Sequence, residues 1–164
     1  MLYLRTSVGL DLLAKIQAVV RPVRGQTKKR GALVESRGIR VMVIDDSNTI
    51  RRSAEIFLKQ AGHEVILAED GFDALAKISD HHPEVIFVDI MMPRLDGYQT
   101  CSLIKKNSKF KATPVIMLSS KDSLFDRARG RMVGSDEYLT KPFTKESLLR
   151  AVLAHAASRN LKSA

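Results

Sequence analysis

Two runs of this chain, residues 41–44 (VMVI) and 85–90 (VIFVDI), are apolar nearly from end to end, and they constrain the fold more than any other feature. A strand with one wet face alternates apolar and polar side chains. A strand apolar at every position is covered on both faces, which is the environment of the central strands of a parallel sheet flanked by helices. Three further short runs, 64–68 (EVILA), 114–118 (PVIML) and 137–140 (EYLT), predict the second, fourth and fifth strands.

The segments between them carry helical spacing. Ile50, Ala54, Phe57, Leu58 and Ala61 recur at three and four residues, with Ser47 placed to cap the start and Gly62 to end the helix. A second helix is predicted over 72–80 with Leu75 and Ile78 inward, a third over 98–106 and a fourth over 122–132. A fifth buries Leu148, Leu149, Val152 and Leu153. Strands alternating with helices give an α/β class, a (βα)5 doubly wound five-stranded parallel sheet. Its strand order is flavodoxin-like if every crossover is right-handed.

The length of 164 residues suits one domain with an appendage. Hydrophobic residues at 45% and charged residues at 27% match a globular chain, and no apolar run reaches the roughly 20 residues of a membrane-spanning helix. The net charge of +9 would suggest a nucleic-acid binder if it were spread evenly, but residues 1–38 hold +6 of it and the remaining 126 only +3. That segment has an amphipathic pattern (Leu4, Val8, Leu12, Ile16, Val19), a break at Pro22 and a basic stretch over 24–30. It is expected to be a basic N-terminal extension, disordered or partly helical, or a start-site artefact if translation begins at the codon of Val34. The main domain is expected over 39–158, with a short tail over 159–164. Cys101 is the single cysteine, so an internal disulfide and a cysteine-based zinc site are both excluded within one chain. Its expected role is packing on a helix, and a reducing cytoplasm fits.

In doubly wound sheets, ligands bind where the carboxyl ends of strands open into loops. Those ends are polar here: Asp45 and Asp46 after the first strand, Asp89 after the third, Ser119 and Ser120 after the fourth, and Lys141 with Pro142 after the fifth. Each has an ordinary explanation alone; the set does not. Three converging carboxylates repel unless a cation compensates, and an oxygen-only donor set suits a hard divalent ion such as Mg2+. An aspartate nucleophile attacking phosphorus needs such a site plus a further positive charge, which Lys141 can supply. His63, His81, His82 and His155 lack the partners a metal site would need.

The motifs VMVIDDS, VIFVDIMMPRLDGY, PVIMLSS and YLTKPF resemble the receiver domain of two-component response regulators, over about residues 39–155. The resemblance implies that Asp89 is the phosphoacceptor and that Mg2+ is held by Asp46 directly, by Asp45 through water or in a supporting role, by Asp89, and by the backbone carbonyl of Met91. It further implies that Lys141 contacts the phosphoryl oxygens, Ser119 supplies the switch hydroxyl and Tyr138 the aromatic switch. The stretches DDSNTIRRSAE, GFDALAKI and VIMLSSKDSLFDRARGRMVGSDEYLTKPF are similar to the twitching-motility regulators of type IV pilus systems. That likeness implies a CheA-like histidine kinase as phosphodonor and a downstream pilus-associated effector. Lys121, Arg127, Arg129 and Tyr138 form the expected partner face, with Arg131 adding to its positive charge.

The expected function is therefore that of a stand-alone phosphorelay component, not an enzyme beyond slow autophosphatase activity. Met91 lies two residues past Asp89 and cannot orient water as an amide could, so a long-lived phosphoryl group is expected. A haloacid-dehalogenase-type phosphatase would need an aspartate at position 91. A flavodoxin would need a hydroxyl- and glycine-rich loop where Asp45 and Asp46 stand. A DNA-binding output domain would need more chain than follows the fifth helix. The alternatives kept open are a chemotaxis-type flagellar or other single-domain receiver, and a receiver whose basic N-terminal segment binds membrane or nucleic acid.

Overall fold

A computed structural model describes residues 37–121 and 123–162, with backbone alone from residue 157. Residues 1–36, Asp122 and the last two residues of the tail lie outside the described residues, and with them nearly all of the expected basic extension. Five strands alternate with five helices: β1 (Arg40–Ile44), α1 (Asn48–Gln60), β2 (Glu64–Ala68), α2 (Gly71–His81), β3 (Val85–Asp89), α3 (Gly97–Lys106), β4 (Val115–Ser119), α4 (Leu124–Met132), β5 (Glu137–Thr140) and α5 (Lys145–Lys162). The strands form one sheet in the order β2-β1-β3-β4-β5, every neighbouring pair parallel, as the alternating pattern requires.

Alternation along the strands divides the core into two layers. Met42, Ile44, Ile86, Val88, Val115 and Met117 face α2 and α3, meeting Ala74, Ile78, Cys101 and Ile104. Val41, Val43, Val85, Phe87, Ile116 and Leu118 face α1 and α5, meeting Ala54, Leu58, Leu148, Ala151 and Val152. This double burial explains why β1, β3 and β4 are apolar at nearly every position. Cys101 is fully buried, and burial pushes its thiol up to about 11, so it packs and does not react.

Helix starts follow local chemistry. Ser47 accepts the Ile50 N–H, Asp70 the Asp73 N–H and Asp96 the Gln99 N–H, the last within a reciprocal capping box. The helix expected to begin at residue 122 starts at Leu124, because Ser123 is its cap. Two expected core residues are exposed. Ala61 is the C-cap of α1, a position outside the helical stripe, and Gly62 takes the left-handed turn at φ 85°. Leu153 is 61% exposed, because the inward stripe of α5 is Leu148, Ala151 and Val152 and the next residue rotates about 100° away from it.

Candidate functional site

Strand register brings the polar strand ends together. Ile44 pairs with Val88 in the β1–β3 ladder, so Asp45 follows β1 at the level of Asp89, the last residue of β3. Asp89 pairs with Leu118, and Ser119 pairs with Thr140, so Lys141 follows β5 at the same edge. Side-chain phase selects further among them. Asp45, Asp89 and Lys141 continue the alternation of Val43, Phe87 and Leu139, all on the α1/α5 face, whereas Ser119 follows Val115 and Met117 on the opposite face.

The geometry follows from this phase. Lys141 Nζ lies 3.0 Å from Asp45 Oδ2 and 3.0 Å from Asp89 Oδ1. Asp45 is fully buried; its other oxygen, Oδ1, accepts the Ser47 N–H at 2.8 Å. Asp46 is exposed at the mouth, and oxygens of Asp45, Asp46 and Asp89 lie within 4.8 Å of one another. Burial pushes the Asp89 carboxyl up to about 6; the hydrogen bond from Lys141 opposes the rise and the negative charge of Asp45 adds to it. Burial works against the Lys141 charge too, but its hydrogen bonds to Asp89 and Asp45 outweigh that and raise its pKa. One lysine balances one of the three carboxylates. The remaining negative charge, at oxygens only, fits a hard divalent cation such as Mg2+, with Asp45, Asp46 and Asp89 as the residues that would hold it.

Ser119 does not reach this group. Its hydroxyl donates to the Lys121 carbonyl at 3.0 Å and accepts the Lys121 N–H at 3.1 Å. The half-buried Tyr138 donates its hydroxyl to the same Lys121 carbonyl at 2.5 Å. Thus Ser119, Lys121 and Tyr138 form one contact set beside the carboxylates, with the Arg127 guanidinium 5.0 Å from the centre of the Tyr138 ring. Arg129 lies instead over Tyr98, 4.2 Å from that ring, and lines a groove with Asp46, Met91 and Tyr98. Arg131 lines a separate groove with Arg127, Ser135 and Tyr138. The expected partner residues are therefore divided between two rings and two grooves. Met91 stands at the site mouth, 76% exposed.

Some participants were not singled out from sequence. Arg51 donates to the Asp45 carbonyl at 2.6 Å, bracing the β1–α1 turn; its place one turn into the helix after an aspartate pair is a weak signal. Tyr98 donates to Asp126 Oδ1 at 3.2 Å and ties α3 to α4, a pairing 28 residues apart that no local pattern carries. Arg94 pairs with Asp70, joining two loops.

A five-stranded parallel sheet with an acidic cluster and a lysine at its carboxyl edge defines the receiver class, and the chain belongs to the response regulator receiver domain family, which matches residues 41–153. It is 73% identical over 124 residues to Protein PilG of Pseudomonas aeruginosa, covering 76% of this chain and 92% of that protein. The probable transcriptional regulator ycf27 of Porphyridium aerugineum is 40% identical over 117 residues, 70% of this chain but 48% of that longer protein. Among solved structures, chemotaxis protein CheY4 of Vibrio cholerae is similar with a TM-score of 0.70 and 35% identity, over 72% of this chain and 98% of that one. No described helix is long and apolar enough to cross a membrane.

Proposed function

We propose that the chain is a phosphorelay component phosphorylated on Asp89 by a CheA-like histidine kinase. In transfer from such a kinase, an Asp89 oxygen forms a bond to phosphorus while the bond between phosphorus and the donor histidine nitrogen breaks, and that nitrogen keeps the electron pair. The observation that carries this reading is the Lys141 bridge: a half-buried ammonium 3.0 Å from both Asp45 and Asp89 is positioned to meet the oxygens of a phosphoryl group. Mg2+, held by Asp45, Asp46, Asp89 and the Met91 backbone carbonyl, would supply charge neutralisation at those oxygens.

The phosphoryl group adds negative charge and strong acceptors. Ser119 exchanges its Lys121 contact for a phosphoryl oxygen, Tyr138 loses its shared partner arrangement, and the face made by Lys121, Arg127, Arg129 and Tyr138 is remodelled for a protein partner. The likeness to twitching-motility regulators, together with the 73% identity to Protein PilG, supports a pilus-associated effector in the cytoplasm as that partner. The protein signals through these contacts and does not turn over a substrate. Its receiver unit is assigned to residues 39–158, with the basic segment before it and a short tail after it.

The test is incubation with Mg2+ and a small phosphodonor, comparing wild type with Asp89→Ala by intact mass. Wild type gains one phosphoryl mass and Asp89→Ala gains none; equal gain in both removes the assignment.

A further inference from the structure

The loop from β3 to α3, which carries Met91, is tied at its near end by the Gly97 N–H donating to the Ile90 carbonyl at 3.0 Å. Its far side is tied to a different loop. Arg94 has φ 67°, in the left-handed region disfavoured for any residue with a Cβ. Its guanidinium pairs with Asp70 and lies 5.5 Å from the centre of the Phe72 ring. The next residue, Leu95, presses on the β2–α2 turn: a Cβ added to Gly71 would lie 2.8 Å from Leu95 Cδ2 and 2.3 Å from Thr100 Oγ1.

Asp70 is more than the α2 cap requires. Capping uses one acceptor oxygen, here Oδ1 taking the Asp73 N–H at 2.8 Å, and a neutral serine or asparagine performs it as well. Asp70 is instead a carboxylate, 6% exposed, and a buried carboxylate needs a cation. Arg94 is that cation, one guanidinium nitrogen reaching Oδ2 while most of its side chain stays exposed. A left-handed residue is thus kept in place by a charge pair to a neighbouring loop, where a glycine would satisfy the backbone alone.

We propose that Arg94 is a positioning residue for the cation site: its pair with Asp70 holds the β3–α3 loop in the conformation in which Met91 serves that site. The proposal rests on the reading of the site given above. Charge alone predicts a different pattern from the clamp. Arg94→Gly removes a positive charge and would tighten Mg2+, Asp70→Asn removes a negative one and would weaken it, and the double variant would match wild type. The clamp weakens all three by a similar factor, because breaking either partner frees the same loop.

The experiment is a Mg2+ titration of the full chain followed by backbone amide chemical shifts, in wild type, Arg94→Gly, Asp70→Asn, the double variant and Arg94→Lys. The dissociation constant rises about tenfold in the first three variants, with no further loss in the double, and Arg94→Lys recovers part of it. An unchanged or tighter constant in Arg94→Gly, or a double variant equal to wild type, overturns the proposal. If Arg94→Gly loses its fold by circular dichroism, Arg94→Asn replaces it, since asparagine tolerates the left-handed region. Wild type that does not titrate with Mg2+ defeats the assigned site itself, a result distinct from a variant that titrates normally.

Discussion

At the scale of single residues, Lys141 decides how three carboxylates coexist at one sheet edge. It contributes one positive charge to two buried partners and so opposes the burial that, helped by the negative charge of Asp45, pushes the Asp89 carboxyl up to about 6. Met91 sets a second property. Its thioether has no strong donor or acceptor to align an attacking water, and it is exposed at the mouth of the site. Met91→Asn should hydrolyse phospho-Asp89 faster by about an order of magnitude, short of the ~10²–10⁴-fold of a true general base; the decay of the phosphorylated mass with time measures it. The identities of these residues were legible in the sequence because they follow apolar strands. The engagement of Ser119 with Lys121 was not, because the phase of a strand end emerges only when neighbouring strands fix the register.

At the scale of elements, the start of α3 is a tight junction against the backbone of the site. A Cβ on Gly97 would lie 2.3 Å from the Asp89 carbonyl oxygen and 2.7 Å from Ile90 Cα, both backbone atoms that cannot step aside. Gly97→Ala should therefore destabilise the fold by about 1–3 kcal/mol and shift Asp89; urea unfolding measures the first effect and the Mg2+ titration the second. Helix α4 is the opposite case. Gly130 is its one buried residue, Leu124, Phe125 and Met132 are exposed, and polar links through Tyr98 and Asp126 hold its inner side. A helix with so little burial is the natural element to move in the rearrangement proposed for the Ser119 loop. Boundaries of α1, α2 and α3 could be read to within a residue or two from caps and spacing. The exposure of Leu153 could not, since the inward arc of α5 is set by the helix and sheet it packs on.

At the scale of the whole molecule, the charge shortfall at the sheet edge couples cation binding to stability. A ligand that binds only the folded state stabilises it, by about 2.7 kcal/mol at a hundredfold excess over its dissociation constant. Thermal unfolding should move upward with added Mg2+ in wild type and stay nearly flat in a variant carrying both Asp46→Asn and Asp89→Asn; parallel slopes in the two proteins would count against a cation at this site. The sequence by itself determined the class of fold, since strands apolar at every position have no stable place outside a sheet covered on both sides. It also determined which residues stand at the strand ends, because the chain leaves each strand where its apolar run stops. Tertiary structure alone decided that Lys141 reaches Asp45 and Asp89, 96 and 52 residues away along the chain, while Ser119 turns from them. It alone paired Arg94 with Asp70 and Tyr98 with Asp126. Those contacts depend on strand order, register and crossover packing, and such long-range geometry leaves no local pattern in the residues that make it.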